Sequence, residues 1–177
     1  MRTPFYFSPL LILLSLSLYA QIDVLTQHGN LQRTGWNSQE TQLKASNVQP
    51  GFFGRLYAYP VDDQVYAQPL VATRVTIPGV GVRDVIYIVT VNNSVYCYDA
   101  DSLPASGPYW HVSLNPAGTR PPMNTDMTGA CSGAYSDFTG HIGIVGTPVI
   151  DKTAGTIFLV SRSLNPNTGV YYTYLHA

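Results

Sequence analysis

The side chains able to do chemistry are few and scattered along the chain. Four histidines are present, His28, His111, His141 and His176. No two stand in a spacing such as His-x-x-x-His that would bring them to one metal ion, and His111 alternates with Trp110 along an extended run, so structural roles are expected. Asp99-Ala-Asp101 begins like a calcium loop, in which carboxylates at alternate positions converge on the ion. The Ser102-Leu-Pro104 that follows supplies neither the third oxygen ligand nor the glycine. A turn held by the aspartate side chains is the simpler account.

Gly129-Ala-Cys-Ser-Gly133 is not a Gly-x-Ser-x-Gly elbow, because Ser132 stands one place late. Cys131 and His141 are the residue types of a nucleophile and its base, but no third group to orient the histidine can be identified. Asp62 and Asp63 are expected to be solvated turn residues rather than an acid/base pair. Tyr57, Tyr59, Tyr66, Tyr87, Tyr96 and Tyr98 are of the kind that stack on sugars, yet sheet packing consumes such residues first. These residues predict no catalytic centre and no metal site.

The elements that would position these groups are strands, and they are written twice. Val65-Tyr-Ala-Gln-Pro-Leu-Val71, Val85-Ile-Tyr-Ile-Val-Thr90 and Val95-Tyr-Cys-Tyr-Asp-Ala100 recur as Ile144-Val-Gly-Thr-Pro-Val-Ile150, Thr156-Ile-Phe-Leu-Val-Ser161 and Tyr172-Thr-Tyr-Leu-His-Ala177. Pro69 and Pro148 give an offset of 79 residues (148 − 69), and Tyr87 with Phe158 gives 71 (158 − 87), so the loops of the two units differ in length. A repeat of this kind marks an array whose units bury their faces on one another.

Along the first unit, strands are expected at Phe52–Tyr59 and Gln64–Val71, with Pro69 at a strand's end or edge. A turn follows over Ile77–Asp84, then a hairpin of Val85–Val91 and Ser94–Ala100 around Asn92-Asn93, and a fourth strand at Tyr109–Ser113. Asn92-Asn-Ser94 also matches a glycosylation sequon, although the turn explains both asparagines. The segment behind residue 20 is polar and irregular, with turns at Gly29 and Gly35.

Arg2, the apolar stretch Phe5–Leu18 and the small Ala20 make residues 1–20 a signal peptide, with Gln21 opening the mature chain; an uncleaved anchor would need a longer apolar run. Acidic and basic residues number 10 and 9, which provides no electrostatic footprint for nucleic acid or anionic lipid. Charged residues make up only 11% of the chain, so Tyr, Thr, Ser, Asn and Gln must cover the surface, as suits exported β proteins. Two cysteines in an exported chain allow one disulfide, Cys97–Cys131. The alternative is that Cys97 is a small buried hydrophobe and Cys131 packs or pairs elsewhere.

Taken together, Gln27-His-Gly-Asn-Leu-Gln-Arg-Thr-Gly-Trp-Asn37, Phe53-Gly-Arg-Leu56, Val65-Tyr-Ala-Gln-Pro-Leu70, Val95-Tyr-Cys-Tyr-Asp-Ala100 and Ile142-Gly-Ile-Val-Gly-Thr-Pro-Val-Ile-Asp151 resemble the pyrroloquinoline-quinone-like (PQQ-like) β-propeller repeat proteins. The resemblance spans nearly the whole mature segment. It implies an all-β propeller of four-stranded blades, with a signal peptide over 1–20, an extension over 21–51, one blade over about 52–114, a loop over 115–140 and an incomplete second blade over 141–177, the chain being an N-terminal fragment. The family pattern commonly carries an acidic residue where His141 stands, and its quinoprotein dehydrogenases use adjacent cysteines that this sequence lacks.

The expected function is an exported, noncatalytic binding or scaffold module, secreted or periplasmic. It would act on a protein or a cell-surface glycan, with no nucleic-acid partner, no membrane span after signal removal, and further blades or another chain needed to close the propeller. No cofactor is expected. The alternative that the resemblance carries is a periplasmic oxidoreductase dependent on PQQ and calcium. The interaction surface is expected on the loop Asn115–Gly140 and its border, with Arg120, Asp126, Tyr135, Asp137 and His141 as candidates, because long loops on rigid scaffolds carry function.

Overall fold

The computed structural model describes residues 22–102, 107–133 and 135–177. The expected signal peptide and the Leu103-Pro104 pair after the aspartates lie outside them. Within the described residues the chain is all-β, built as two antiparallel meanders with no α-helix. Sheet one runs β1 (Leu70–Ile77), β2 (Gly81–Val89), β3 (Ser94–Asp99) and β4 (Trp110–Ser113), each strand beside the next. Sheet two runs β5 (Val149–Asp151), β6 (Thr156–Asn165) and β7 (Val170–His176) in the same way.

Pairing confirms most of the expected strands and moves the first. Gln64–Pro69 is not a strand; β1 begins after Pro69, whose missing amide cannot join a ladder, and runs on to Ile77 with a bulge between Ala72 and Val75 where Arg74 takes φ +55°. The turn is accordingly shorter than Ile77–Asp84: Gly79 at φ +74° and Gly81 at φ +102° reverse the chain in conformations that only glycine adopts without strain. Phe52–Tyr59 is no strand either. It lies over sheet one through its side chains, Tyr59 packing on Tyr98 at 5.0 Å and donating its hydroxyl to the Asp99 carbonyl at 2.9 Å.

The β2–β3 connection is a three-residue loop rather than the two-residue Asn-Asn turn. Thr90 N–H donates to the Ser94 carbonyl and Asn93 N–H to that of Thr90, while Asn93 stands at φ +61° in the left-handed position that ends such loops. Asn93 is fully buried, and its amide nitrogen donates to the Arg162 carbonyl in sheet two and to Asn115 Oδ1, both at 2.8 Å.

Register makes the internal repeat explicit. Leu70 pairs with Tyr87 and Val149 with Phe158, so both offsets read from the sequence hold. The third strands are set differently. Val89 pairs with Val95 and Val160 with Leu175, which matches Val95 to Leu175 rather than to Tyr172, three residues from the alignment expected.

The two sheets pack face to face through two apolar clusters. Leu70, Ala72, Ile77, Val85 and Cys97 of sheet one meet Ile150 of sheet two, and Ala67, Val89 and Val95 meet Ile144 and Leu159. Removing this surface from water is what holds the sheets together. The N-terminal segment ties them at matching positions. Val24 pairs with Val71, Leu25 accepts from the Ile150 amide, and the Asp23 carboxylate takes the Thr73 amide at 2.7 Å and the Lys152 ammonium at 2.7 Å. Thr73 and Lys152 are again separated by the 79-residue offset.

Candidate functional site

The loop 115–140 is tied down at both ends. Arg120 forms an antiparallel bridge with Leu164 of β6, and Pro121 and Pro122 are fully buried. The Ile142 amide donates to the Pro122 carbonyl at 2.7 Å and the Asn124 amide to that of Gly140 at 3.1 Å, which brings the two ends of the loop together in the manner of an Ω loop.

Two of the five expected site residues are used inside this loop. The Arg120 guanidinium grips Asp126 with two parallel hydrogen bonds of 2.7 and 2.9 Å, and Asp126 also accepts the Met123 amide at 2.7 Å. The hydrogen bond from Arg120 holds the Asp126 carboxyl below its ordinary range. Tyr171 of β7 donates to the Asp126 carbonyl at 3.0 Å, which fastens the loop to sheet two. Such a two-pronged pair is a positioning device.

Tyr135, Asp137 and His141 border a second group. Tyr135 stacks on Phe138 with ring centres 6.3 Å apart, and Phe138 meets Tyr66 edge to face at 4.6 Å. The Tyr66 hydroxyl donates to Gln64 Oε1, whose amide nitrogen donates to Thr139 Oγ1 at 3.1 Å. His141 Nδ1 lies 2.6 Å from Asp63 Oδ2, and Asp137 is exposed at the rim. Asp63 is therefore the group that orients His141, which the sequence did not identify; nothing local could point to it, because the two are 78 residues apart. Cys131 is exposed on a tight turn with φ +48°, and among the described residues no hydrogen bond joins it to His141.

The aspartates expected to be solvated are both engaged. Asp62 accepts the hydroxyls of Thr90 (2.8 Å) and Ser94 (2.6 Å) and the Asn92 amide (2.9 Å), caging the β2–β3 loop. Burial raises its pKa, but these three hydrogen bonds outweigh burial and leave it below the ordinary carboxylate value. They also occupy Asn92, the sequon asparagine. Asp99 accepts the Asp101 amide and the Tyr109 hydroxyl, so the Asp99-Ala-Asp101 segment is the aspartate-held turn expected.

The other three histidines have structural settings. His28 Nδ1 lies 3.2 Å from the Arg33 carbonyl, His111 stacks on Tyr96 at 4.3 Å, and His176 Nε2 lies 2.8 Å from Ser161 Oγ. Cys97 is fully buried and unpaired; burial pushes its thiol up to about 12, while Cys131 is also a free thiol. Among the described residues no three His, Cys, Asp or Glu side chains converge as they would around a metal ion. No helix among them is long and apolar enough to cross a membrane.

Two hollows flank the N-terminal extension. One of about 910 Å³ opens between Trp36 and Leu43 of the extension and Phe53, Leu56 and Gln68 of the segment before β1. A smaller one of about 410 Å³ lies between Leu31 and Val149. Compared with protein-family models, with characterised proteins and with solved structures, the chain has no significant match.

Proposed function

We propose that the chain is part of an exported, noncatalytic β-propeller repeat module, a scaffold that grows by adding sheets head to tail and binds other molecules. The observation that carries this is the contrast between matching faces of the two sheets. In sheet one, Leu70, Val89 and Val95 are 1%, 3% and 4% exposed, because the opposite face of sheet two covers them. Their counterparts in sheet two, Val149, Val160 and Leu175, are 45%, 45% and 75% exposed, with Phe158 beside them at 39%. The same apolar face is thus buried once and open once.

Packing one face against the opposite face of the next unit is heterologous, and such contacts build rings when the rotation closes. The open face suits another sheet presenting aliphatic side chains at the positions of Ile150, Ile157 and Leu159, from further blades or from another chain. On the other side of sheet one, among the described residues, Tyr59 and Val61 already pack on Ile88, Tyr96 and Tyr98.

Sedimentation equilibrium tests the reading. The chain should associate with rising concentration, and Phe158→Ser with Val160→Lys should suppress this without lowering the melting temperature. A monomer at all concentrations, or association indifferent to those two changes, would overturn it.

A further inference from the structure

We infer that the larger hollow, between the N-terminal extension and the lead-in to β1, is a binding cleft for a neutral oligosaccharide. This gives a ligand class to the binding role proposed above but does not depend on sheet growth. Its volume of about 910 Å³ lies near the upper end of the range of about 300–1,000 Å³ usual for small-molecule sites.

The aromatic groups on its wall are open to solvent. Tyr96 and Tyr98 are buried in sheet packing, whereas Trp36 is 74% and Phe53 58% exposed. Large rings left in water along one hollow mark a candidate interaction site. Around them stand the uncharged planar amides of Asn37, Gln39, Gln42 and Gln68.

A sugar ring has an apolar C–H face that packs on an aromatic ring and a rim of hydroxyls that donate and accept at once. Asparagine and glutamine amides also carry both functions, so the two surfaces match chemically. Charge selects within the class. No lysine or arginine lines the cleft. Of its two acids, Asp23 is held by Lys152 and Thr73, and Glu40 accepts the Gln42 and Leu43 amides. An acidic sugar would meet the Glu40 carboxylate on a wall without lysine or arginine, and a neutral one meets hydrogen-bonding groups.

The wall is also braced. His28 N–H donates to Gln68 Oε1 at 2.8 Å, Gly35 N–H to the His28 carbonyl at 3.0 Å, and Arg33 to Gln27 at 2.7 Å, so Trp36 follows a hydrogen-bonded loop anchored on Gln68, two residues before β1. Preorganisation of this kind lowers the cost of ordering a site around a flexible ligand.

The full chain should be titrated calorimetrically with cellopentaose, maltopentaose and chitopentaose, and with a galacturonate pentamer as the acidic comparison. Fluorescence should be followed in a Trp110→Phe background, in which Trp36 is the remaining tryptophan of the two. At least one neutral sugar should bind and change Trp36 emission, and the acidic pentamer should not bind. Trp36→Ala should weaken binding about tenfold, as loss of an aromatic stack does, with an unchanged melt because the ring is exposed. Binding by none of the neutral sugars, equal binding by Trp36→Ala, or preference for the acidic pentamer would overturn the assignment. Phe158→Ser with Val160→Lys should leave sugar binding intact; its loss there would move the site to the open face. Failure of the sugar titrations with association intact would leave the scaffold reading standing.

Discussion

Sheet one and sheet two are nearly the same object in register and quite different in burial. Leu70 and Val149 occupy matching places, each leading a strand after a proline and each paired with an aromatic residue, yet one is buried and the other half in water. The difference lies in what covers each face. Among the described residues, sheet one has sheet two on one side and Tyr59 and Val61 on the other, whereas the second face of sheet two is covered only at the end where the loop reaches Leu164 and Tyr171. Strand patterning therefore tells which side chains share a face, and the fate of that face belongs to the next layer.

The sharpest way to break this comparison is to truncate the matching residues. Leu70→Ala should cost about 2–5 kcal/mol, and Val149→Ala less than about 0.5 kcal/mol, both read from denaturant melts. Equal losses would mean that the open face is covered in solution.

A slightly smaller effect is expected at the seam between the units. A side chain on Gly143 would place its Cβ 2.2 Å from Asn93 Oδ1 and 2.4 Å from the Val91 carbonyl, where Gly143 N–H now donates to Val91 at 2.9 Å. Because one obstacle is backbone, Gly143→Ala should cost roughly 1–3 kcal/mol. Gly146→Ala, which meets nothing within 4 Å, is the matched control in the same melts. Similar losses at both sites would remove the seam from the account.

Acid should act unevenly on the two units. Asp62 and Asp99, which hold the turns of sheet one, have carboxyls lowered by hydrogen bonds in spite of burial. Groups with a lowered folded pKa stabilise fully above their unfolded value of about 3.9 and lose that contribution as pH falls through the folded value. The stability of the Asp62→Asn variant should therefore vary less with pH below about 4 than that of the parent. An unchanged acid limb would exclude the carboxylate cage as a source of pH dependence. At neutral pH, Asp62→Ala should cost about 1–3 kcal/mol by leaving hydroxyl and amide donors unpaired.

The smallest change concerns the tie between the units. Asp23 and Lys152 are about one-third exposed, and Lys152→Met should cost less than about 1 kcal/mol. A larger loss would show that this ion pair couples the sheets more strongly than its exposure indicates.

Much of the architecture was legible because it follows from alternation and from turn chemistry, both local. Val85, Tyr87 and Val89 fall on one side of β2 and Ile86 and Ile88 on the other, and their spacing alone foretells that. The pairing of β2 with β3 as a hairpin, though not its loop length, the burial of Cys97 and the aspartate-held turn at Asp99 are of this kind. Phe52–Tyr59 was misjudged because an aromatic-rich run looks the same whether it pairs through its backbone or packs through its rings. The shifted third strand has a similar origin: repeated Tyr and Val positions in β3 and β7 permit several alignments, and only the ladder to β6 selects one.

By itself the sequence determined an all-β chain, two related strand units, and the 79-residue offset that later reappears between Thr73 and Lys152. Tertiary structure alone decided which polar groups meet. Arg120 turned inward to Asp126, Asp63 was brought to His141 across 78 residues, and Trp36 was left facing a cleft beside Gln68. The physical reason is one of range. Backbone pairing and side-chain alternation repeat every two residues and are written locally, whereas a side chain's partner is set by how distant sheets and loops stack, which no single stretch encodes.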